Sequence, residues 1–576
     1  MKKKTIIIVA SALVVFISGF IYLKYFLLKA KDFKPDESKA RSVVDLRPSI
    51  IAKLQQLVKD GSNGLYVLSI GKIDPDIVAS TLDVTDANLR VDSAAMKQLD
   101  LQKKLPDDIF NIHFDSLHID GIGLDYLLHS KSIDISRVNI SKPLIEIHHK
   151  SKAYNQSTRD HNDTLSLYRQ IKEQMNSIKA GHINIEKGTL ILHDGPHQNK
   201  VTRLNDLSIH ITDLLVDSST QFDASRTLFA KELNIVAKDY ITATRDSLYY
   251  FKTRVLSISA ADHKAVLEDV ELNPRGDKEQ FEKKLKYRQG MHHMLFKRVE
   301  LTDVDWWSMI NREKFMAKDG VITGGFFTEY IDKTLPEAPA VELANFPQQT
   351  LMGIDVPVAV DHLVFKNVDI AYEEYNPASK QGATAYFDKM NGQLDHASNI
   401  PSRIKKNPII NFSGNVMFMH QVPMKAAITF NLAKHKTGEF TADIHMNALG
   451  KETVNLLAVP LGLFSVKSGE MQSGDVHITG NNLTTTGKLA LAYTGLHIDP
   501  LKPADENGEL KKKRATAFVA NVFLIKNTNP GKDKILRQPE YTVLRDHRAN
   551  FFSMLWITTV TGILKTLGVP VKLVLH

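Results

Sequence analysis

The sequence predicts a mainly β protein: an N-terminal transmembrane helix, then an elongated, curled antiparallel β-sheet forming a groove, with a few short helices. Three observations carry this expectation. From about residue 110 apolar and polar residues alternate with period two, the mark of half-buried strands. An eight-residue unit recurs: apolar, x, apolar, two mostly polar residues, apolar or Gly, x, apolar. One uncharged stretch, Thr5 to Leu23, is long enough to span a bilayer, and no second stretch is.

The N-terminal stretch comes first. Nineteen residues of helix rise about 28 Å, close to the hydrocarbon thickness. Lys2, Lys3 and Lys4 precede it, which argues for a cytoplasmic N-terminus and an exported body. A cleavable signal peptide would have a shorter apolar region and a small-residue cleavage site, so an uncleaved anchor over 1–31 is the preferred reading. Beyond it the expected organisation is a membrane-proximal segment with a helix at 32–109, a repeating β region at 110–334, a second β region at 352–500, and a C-terminal strand plus amphipathic helix at 515–576.

The recurring unit appears as Leu117-Ile119-Ile122-Leu124, Ile133-Ile135-Val138-Ile140, Ile183-Ile185-Gly188-Leu190 and Ile209-Ile211-Leu214-Val216. Further copies are Ala265-Leu267-Val270-Leu272, Val299-Leu301-Val304-Trp306 and Leu363-Phe365-Val368-Ile370. In one continuous strand, positions i and i+2 share a face but i+5 falls on the other. To keep both apolar pairs on one side the chain must bend, bulge or turn at the middle pair. Each unit therefore reads as strand, corner, strand. Units in series suggest one sheet curling around an apolar side, while ordinary sandwich hairpins would alternate in the same way.

Three segments carry helical spacing instead. Pro48 to Asp60 ends at Gly61, and Asp163 to Lys179 places Leu167, Ile171, Met175 and Ile178 on one face. The third, Asn550 to Leu567, fits two readings equally: a buried terminal helix, or a helix lying in a membrane interface through Phe551, Phe552, Leu555 and Trp556. Linkers are expected at Lys150–His161, Leu335–Leu351 and Pro500–Arg514.

Composition narrows the chemistry. The 576 residues hold 73 basic and 65 acidic side chains and no Cys, which excludes disulfide scaffolds, Cys-ligated metals and Cys nucleophiles. A net charge of +8 over this length is no nucleic-acid footprint. No phosphate-binding loop, nucleophile elbow or H-E-x-x-H motif is present, so no catalytic residue, metal site or cofactor is assigned and the chain is read as a non-enzyme. His148-His149 and His292-His293 point to opposite strand faces and chelate poorly, and His193 with His197 flanks a turn; all read as solvated histidines. Asp303 with Asp305, and Asp361 with Asp369, read as outward-facing strand residues. Gly320 to Gly325 reads as a strand ending in a turn. Trp306-Trp307 reads as one indole in the core and one at its rim.

The most distinctive text lies near the C-terminus: Gly438 to Ala442, Asn455 to Gly462 (NLLAVPLG), Val466 to Met471, Val476 to Gly480, and Thr486 to Tyr493. Over about residues 410–500 this order resembles the AsmA-like family of Gram-negative envelope proteins. The N-terminal anchor and the units of 110–375 are similar to that family in architecture, while the chain is shorter and its repeats less regular than in the larger members. The resemblance implies an inner-membrane, single-pass protein whose body projects into the periplasm as a trough with an apolar lining. It also implies a role in phospholipid transport or outer-membrane biogenesis, with phospholipid acyl chains and outer-membrane or envelope proteins as partners. The repeat nominates Ile119, Leu124, Ile135, Ile140, Ile185, Leu190, Ile211, Leu301, Phe365, Ile370, Ile478, Leu489 and Leu491 as the lining. The same residues would fill a closed core in an anchored periplasmic scaffold without lipid cargo.

Overall fold

The structure, a computed structural model, describes residues 47–76, 79–122, 132–158, 168, 176–194, 201–244, 246–337, 345–512, 526–546 and 549–569. The expected anchor at 1–31, Leu124, His197 and most of the expected helix at 163–179 lie outside the described residues. Among the described residues no helix is long and apolar enough to cross a membrane. The chain is mainly β. Its described α-helices are short: α1 (Arg47–Gly61), α2 (Ser93–Leu101), α3 (Lys278–Glu282), α4 (Trp306–Arg312), α5 (Pro347–Met352), α6 (Pro401–Lys406), α7 (Lys451–Gly462) and α8 (Phe551–Leu567). It divides into two compact units, Met1–Glu268 with Asp303–Lys314, and Asp269–Thr302 with Phe315–His576.

In the first unit, β1 (Tyr66–Asp76), β2 (Thr81–Val91) and β3 (Asp108–Ile122) form an antiparallel meander. β3 then pairs with both β4 (Ser132–Ser141) and β5 (Leu144–His149). The long β6 (Ser177–Asp194) runs parallel to both of these, with Ile140 opposite Ile185 and Ile145 opposite Leu190. β7 (Val201–Val216), β8 (Ala230–Ala243) and β9 (Tyr249–Ser259) continue antiparallel, and β10 (Lys264–Pro274) leads from the first unit into the second.

The second unit begins with β11 (Met291–Thr302) antiparallel to β12 (Phe315–Asp332), which runs parallel to β13 (Val358–Asn376). From there β14 (Gln381–Ser398), β15 (Ile409–Phe418), β16 (Val422–Asn431) and β17 (Phe440–Met446) are antiparallel neighbours. β17 and the two-residue β18 (Leu449–Gly450) both pair with β19 (Phe464–Gly480), followed by β20 (Thr484–Pro500) and β21 (Glu540–Leu544).

The expected all-antiparallel sheet is thus corrected to a mixed one. Alternation specifies which face a side chain takes and is silent about strand direction. A parallel pair needs a crossover rather than a tight turn. The segments expected as linkers at Lys150–His161 and Leu335–Leu351 lie in those crossovers, between β5 and β6 and between β12 and β13. The second of them holds α5.

The recurring unit is resolved by one backbone device. In all but the β4 copy the second residue of the middle pair is left-handed: Gly121 (φ 64°), Lys187 (φ 56°), Asp213 (φ 51°), Asp269 (φ 50°), Asp303 (φ 52°) and Asn367 (φ 55°). The same occurs at Asp86, Asp206, Asp239 and Lys389. Register shifts of the kind a bulge gives lie on both sides of Gly188 and Val368, whereas past Gly121 and Asp213 the ladder keeps its register. Asp and Asn tolerate this region better than most residues. The consequence is the burial the spacing demands: Ile183, Ile185, Gly188 and Leu190 are all buried while Glu186 and Lys187 are exposed. In β4 Ile133, Ile135, Val138 and Ile140 show the same pattern with no residue at positive φ.

The expected corner is therefore, in most copies, a left-handed residue inside a continuous strand, with a bulge at Gly188 and Val368. Gly320 to Gly325 likewise does not end a strand. Gly324 and Gly325 (φ 64° and 109°) lie inside β12, which keeps its register with β11 and β13 through them, and a Cβ on Gly325 would lie 1.9 Å from the Leu295 carbonyl oxygen. The Val299–Trp306 copy departs from the pattern: β11 stops at Thr302, and the Asp305 carboxylate caps α4 by accepting from the Ser308 amide at 2.8 Å. Trp306 is buried and Trp307 half-buried against Arg312. Of the expected helix at 163–179, Ser177 to Lys179 instead open β6, where Ile178 is buried.

Candidate apolar face and its polar boundary

Cross-strand register shows which side chains share the apolar face of the second unit. One row runs Leu301, Gly320, Leu363, Leu394, Phe412, Ile428, Ala442, Ile478. A parallel row runs Met294, Phe327, Ile370, Phe387, Phe418, Val422. Between them Gly392 and Gly414 leave room for the Phe412 ring, whose Cζ would lie 2.9 Å from a Cβ on Gly414.

This face is closed at one side and half-open at the other. Beside β19 and β20 it is closed by α8 and by Phe346. Phe346, Met554 and Ile478 are fully buried in one cluster with Phe430, Phe440, Leu489, Leu491, Phe551 and Leu555. The Phe551 ring packs against Phe440 at 5.0 Å and Phe430 at 5.1 Å. Asn550 caps α8 by accepting from the Ser553 amide at 2.8 Å. Gly562, facing β21, leaves room for the Tyr541 ring, whose Oη would lie 2.1 Å from a Cβ there. The Thr485 and Thr558 hydroxyls satisfy each other at 2.6 Å inside this contact. A second cluster is closed by α7, whose Leu457 packs with Phe418, Val422 and Leu449. Toward β11, β12 and β13, by contrast, Val299, Leu301, Ile322, Phe327, Leu363, Phe365 and Ile370 are all half-buried.

The thirteen expected lining residues accordingly separate. Ile119, Ile135, Ile140, Ile185 and Leu190 are buried in the first unit, on cross-strand neighbours such as Ile140 opposite Ile185, and Ile211 is half-buried opposite Ile183. Leu301, Phe365 and Ile370 lie on the half-open part of the second unit's face. Ile478, Leu489 and Leu491 lie in the closed core. The expected membrane-interfacial set divides in the same place. Phe551 and Leu555 point into that core, because a 3.6-residue period carries them to the sheet side. Phe552 and Trp556 stay exposed, at 67% and 52%.

The apolar face ends in a polar row that the sequence reading did not assign to it. His292 lies opposite Glu329, and Glu329 opposite Tyr372. The signal was present: beyond Gly324 and Gly325, Glu329 keeps the register of Phe327, so a carboxylate stands where the pattern asks for an apolar residue. His292 was expected to be a solvated histidine. Its ring instead stacks on Phe327 at 5.8 Å and its pKa is pushed down by burial, while His293 packs against Phe326. Burial likewise pushes the Glu329 carboxyl up.

Cross-strand His–Asp pairs alternate with the apolar residues, one set in the first unit and three in the second. His118 bonds Asp83 at 2.7 Å and Asp120 at 2.9 Å, His362 bonds Asp395 at 2.8 Å, His445 bonds Asp475 at 2.6 Å, and His477 bonds Asp443 at 2.6 Å. The last two pairs line a depression of about 510 Å³ between Lys425 and Lys488, with opposite charges matched. Asp361 pairs with Arg403, and Asp369 accepts from the Lys389 amide at 2.8 Å.

Hydrogen bonds to Asp83, Asp395 and Asp475 hold the His118, His362 and His445 pKa values above the ordinary 6.5. Burial holds those of His148 and His292 below it. A raised histidine stabilises fully below its unfolded value, and that stability is lost as pH rises through the folded value. A lowered one stabilises above the unfolded value and loses stability as pH falls. Within the histidine range, thermal stability should therefore peak near pH 6.5. Melting curves from pH 5 to 8.5 check this, and substituting Asn for Asp83, Asp395 and Asp475 should flatten the alkaline limb alone. An alkaline limb unchanged in that variant would show that the pairs contribute nothing. No family model matches the sequence, and no curated protein matches it.

Proposed function

We propose that this chain is an inner-membrane-anchored periplasmic protein that carries phospholipid acyl chains on its apolar sheet face, in phospholipid transport or outer-membrane biogenesis. The supporting observation is the half-buried apolar strip of β11, β12 and β13, continuous in register with a fully closed core. Each methylene taken from water onto such a surface contributes about 0.8 kcal/mol, so one acyl chain supplies enough to be held while its head stays wet. The anchor at 1–31, the resemblance to the AsmA-like family and the periplasmic setting belong to the same proposal. The closed core around Ile478, Leu489 and Leu491 favours a second reading, an anchored scaffold without cargo.

Native mass spectrometry with lipid extraction on the full chain, expressed in a Gram-negative host, separates them. The expected result is stoichiometric phospholipid, reduced about tenfold, or ~1.4 kcal/mol, in Phe365→Asp and Ile370→Asp variants that stay folded. A lipid-free wild type, with the same variants unfolded, would carry the scaffold reading.

A further inference from the structure

We infer that the polar end of this strip is a head-group subsite selecting an amphiphile with a positively charged ammonium head, and that Glu329 is the residue that pairs with it. The inference rests on the lipid reading above and adds the chemistry of the head.

The geometry starts from the register. Moving along β11, β12 and β13, the row Met294, Phe327, Ile370 is followed by His292, Glu329, Tyr372, and then by Ile331 opposite Glu374. From Leu301 to Met294 the apolar strip is about 23 Å long at ~3.3 Å per residue, the scale of one extended acyl chain. A tail lying along it brings its head to Glu329.

The charges there do not balance. Glu374 is buried and satisfied, accepting from the Tyr372 hydroxyl at 2.8 Å and pairing with Lys333 at 2.5 Å. Arg288 spends Nη1 on Glu337 at 2.9 Å and Nη2 on the Lys333 carbonyl at 2.9 Å. Lys333 and both Nη groups of Arg288 are thus engaged, while the Arg288 Nε stays buried without a partner. Glu329 takes no hydrogen bond or ion pair among the described residues, and its Oε1 lies over the bare backbone of Gly290, 2.6 Å from where a Cβ would stand. Glu329 is half-buried, desolvation disfavours its charged form, and an incoming N–H donor bearing positive charge relieves that cost.

One free carboxylate does not make a divalent-metal site, which needs six or more oxygen ligands for calcium or a near-octahedral set for magnesium. A small free amine would leave the adjoining apolar strip wet. An ammonium-headed amphiphile satisfies both parts at once.

The test is a competition followed by native mass spectrometry. The full chain is offered equimolar phosphatidylethanolamine and phosphatidylglycerol of matched acyl chains, as wild type and as Glu329→Gln, an isosteric change that keeps the packing. The expected result is at least a fivefold preference for phosphatidylethanolamine in the wild type, lost in E329Q while total lipid is retained. Equal loading in the wild type, or a preference surviving in E329Q, overturns the subsite and leaves the lipid reading standing. Binding of neither lipid overturns both. The wild-type competition alone decides the matter if E329Q fails to fold.

Discussion

Replacing Met554 with Asp abolishes the folded C-terminal unit, whereas replacing Trp556 with Asp leaves it intact. The two residues sit two positions apart on α8 and differ only in which side of the helix they occupy. Met554 is fully buried, among Phe346, Phe551, Ile478 and the rest of that cluster. Two hydroxyls within this contact, those of Thr485 and Thr558, already satisfy each other. A carboxylate there stands among apolar side chains, and Arg545, the cation over the Phe346 ring, is already bonded to the Ala549 carbonyl. Burying that carboxylate charged, or raising its pKa enough to bury it neutral, costs on the order of 4 kcal/mol or more, a large part of the stability of an ordinary domain. Trp556 is half exposed, so its replacement changes stability by about 0.5 kcal/mol at most. Urea titration followed by circular dichroism measures both. The outcome also decides between the two readings that Asn550 to Leu567 admits. A helix that only rested on a membrane would lose membrane binding in M554D and keep its sheet. A helix that closes the core loses the sheet with it.

What the sequence made legible here was position along a face. The eight-residue spacing demanded an extra residue at the middle pair, and the backbone supplies it beside Lys187 and Asn367. Strand direction was not legible, because Ile140 and Ile185 alternate identically whether their strands run parallel or opposed. The crossovers that make β6 and β13 parallel had been read as linkers, since their Pro and polar content is what both kinds of segment share. Trp306 was misassigned because its apolar spacing fits a strand. The competing signal, an Asp cap three residues ahead of Ser308, is local and outranks spacing where a helix begins. α7 was not among the expected helices, and it carries Pro460 near its end, a residue that ordinarily interrupts a helix. Glu329 was missed because the pattern was read for its apolar members only. A polar residue in apolar register carries information about a site, and the spacing already located it.

The bulges invert a common expectation about strand residues, and this gives the other large effect. Lys187, Asp239 and Asn367 are exposed and lie within strands, where β propensity favours Ile over all three. Each, however, sits at a φ between 50° and 56°, where a β-branched side chain crowds the following carbonyl and costs about 1–2 kcal/mol. Ile at all three positions should therefore destabilise the chain by about 3–6 kcal/mol in sum, since the sites lie on different strands and share no side-chain partner. Gly at the same positions relieves the Cβ and should leave stability within about 1 kcal/mol of wild type. Two of the sites lie in the first unit and one in the second, so denaturation should be followed by a probe in each, with about two thirds of the loss falling in the first. If Ile instead stabilises, intrinsic propensity outweighs the bulge, and the left-handed residues are incidental to keeping both apolar pairs on one face. If Ile destabilises and Gly does not, the bulge is the element that converts an eight-residue spacing into a single apolar surface, and with it the strip on which Glu329 lies.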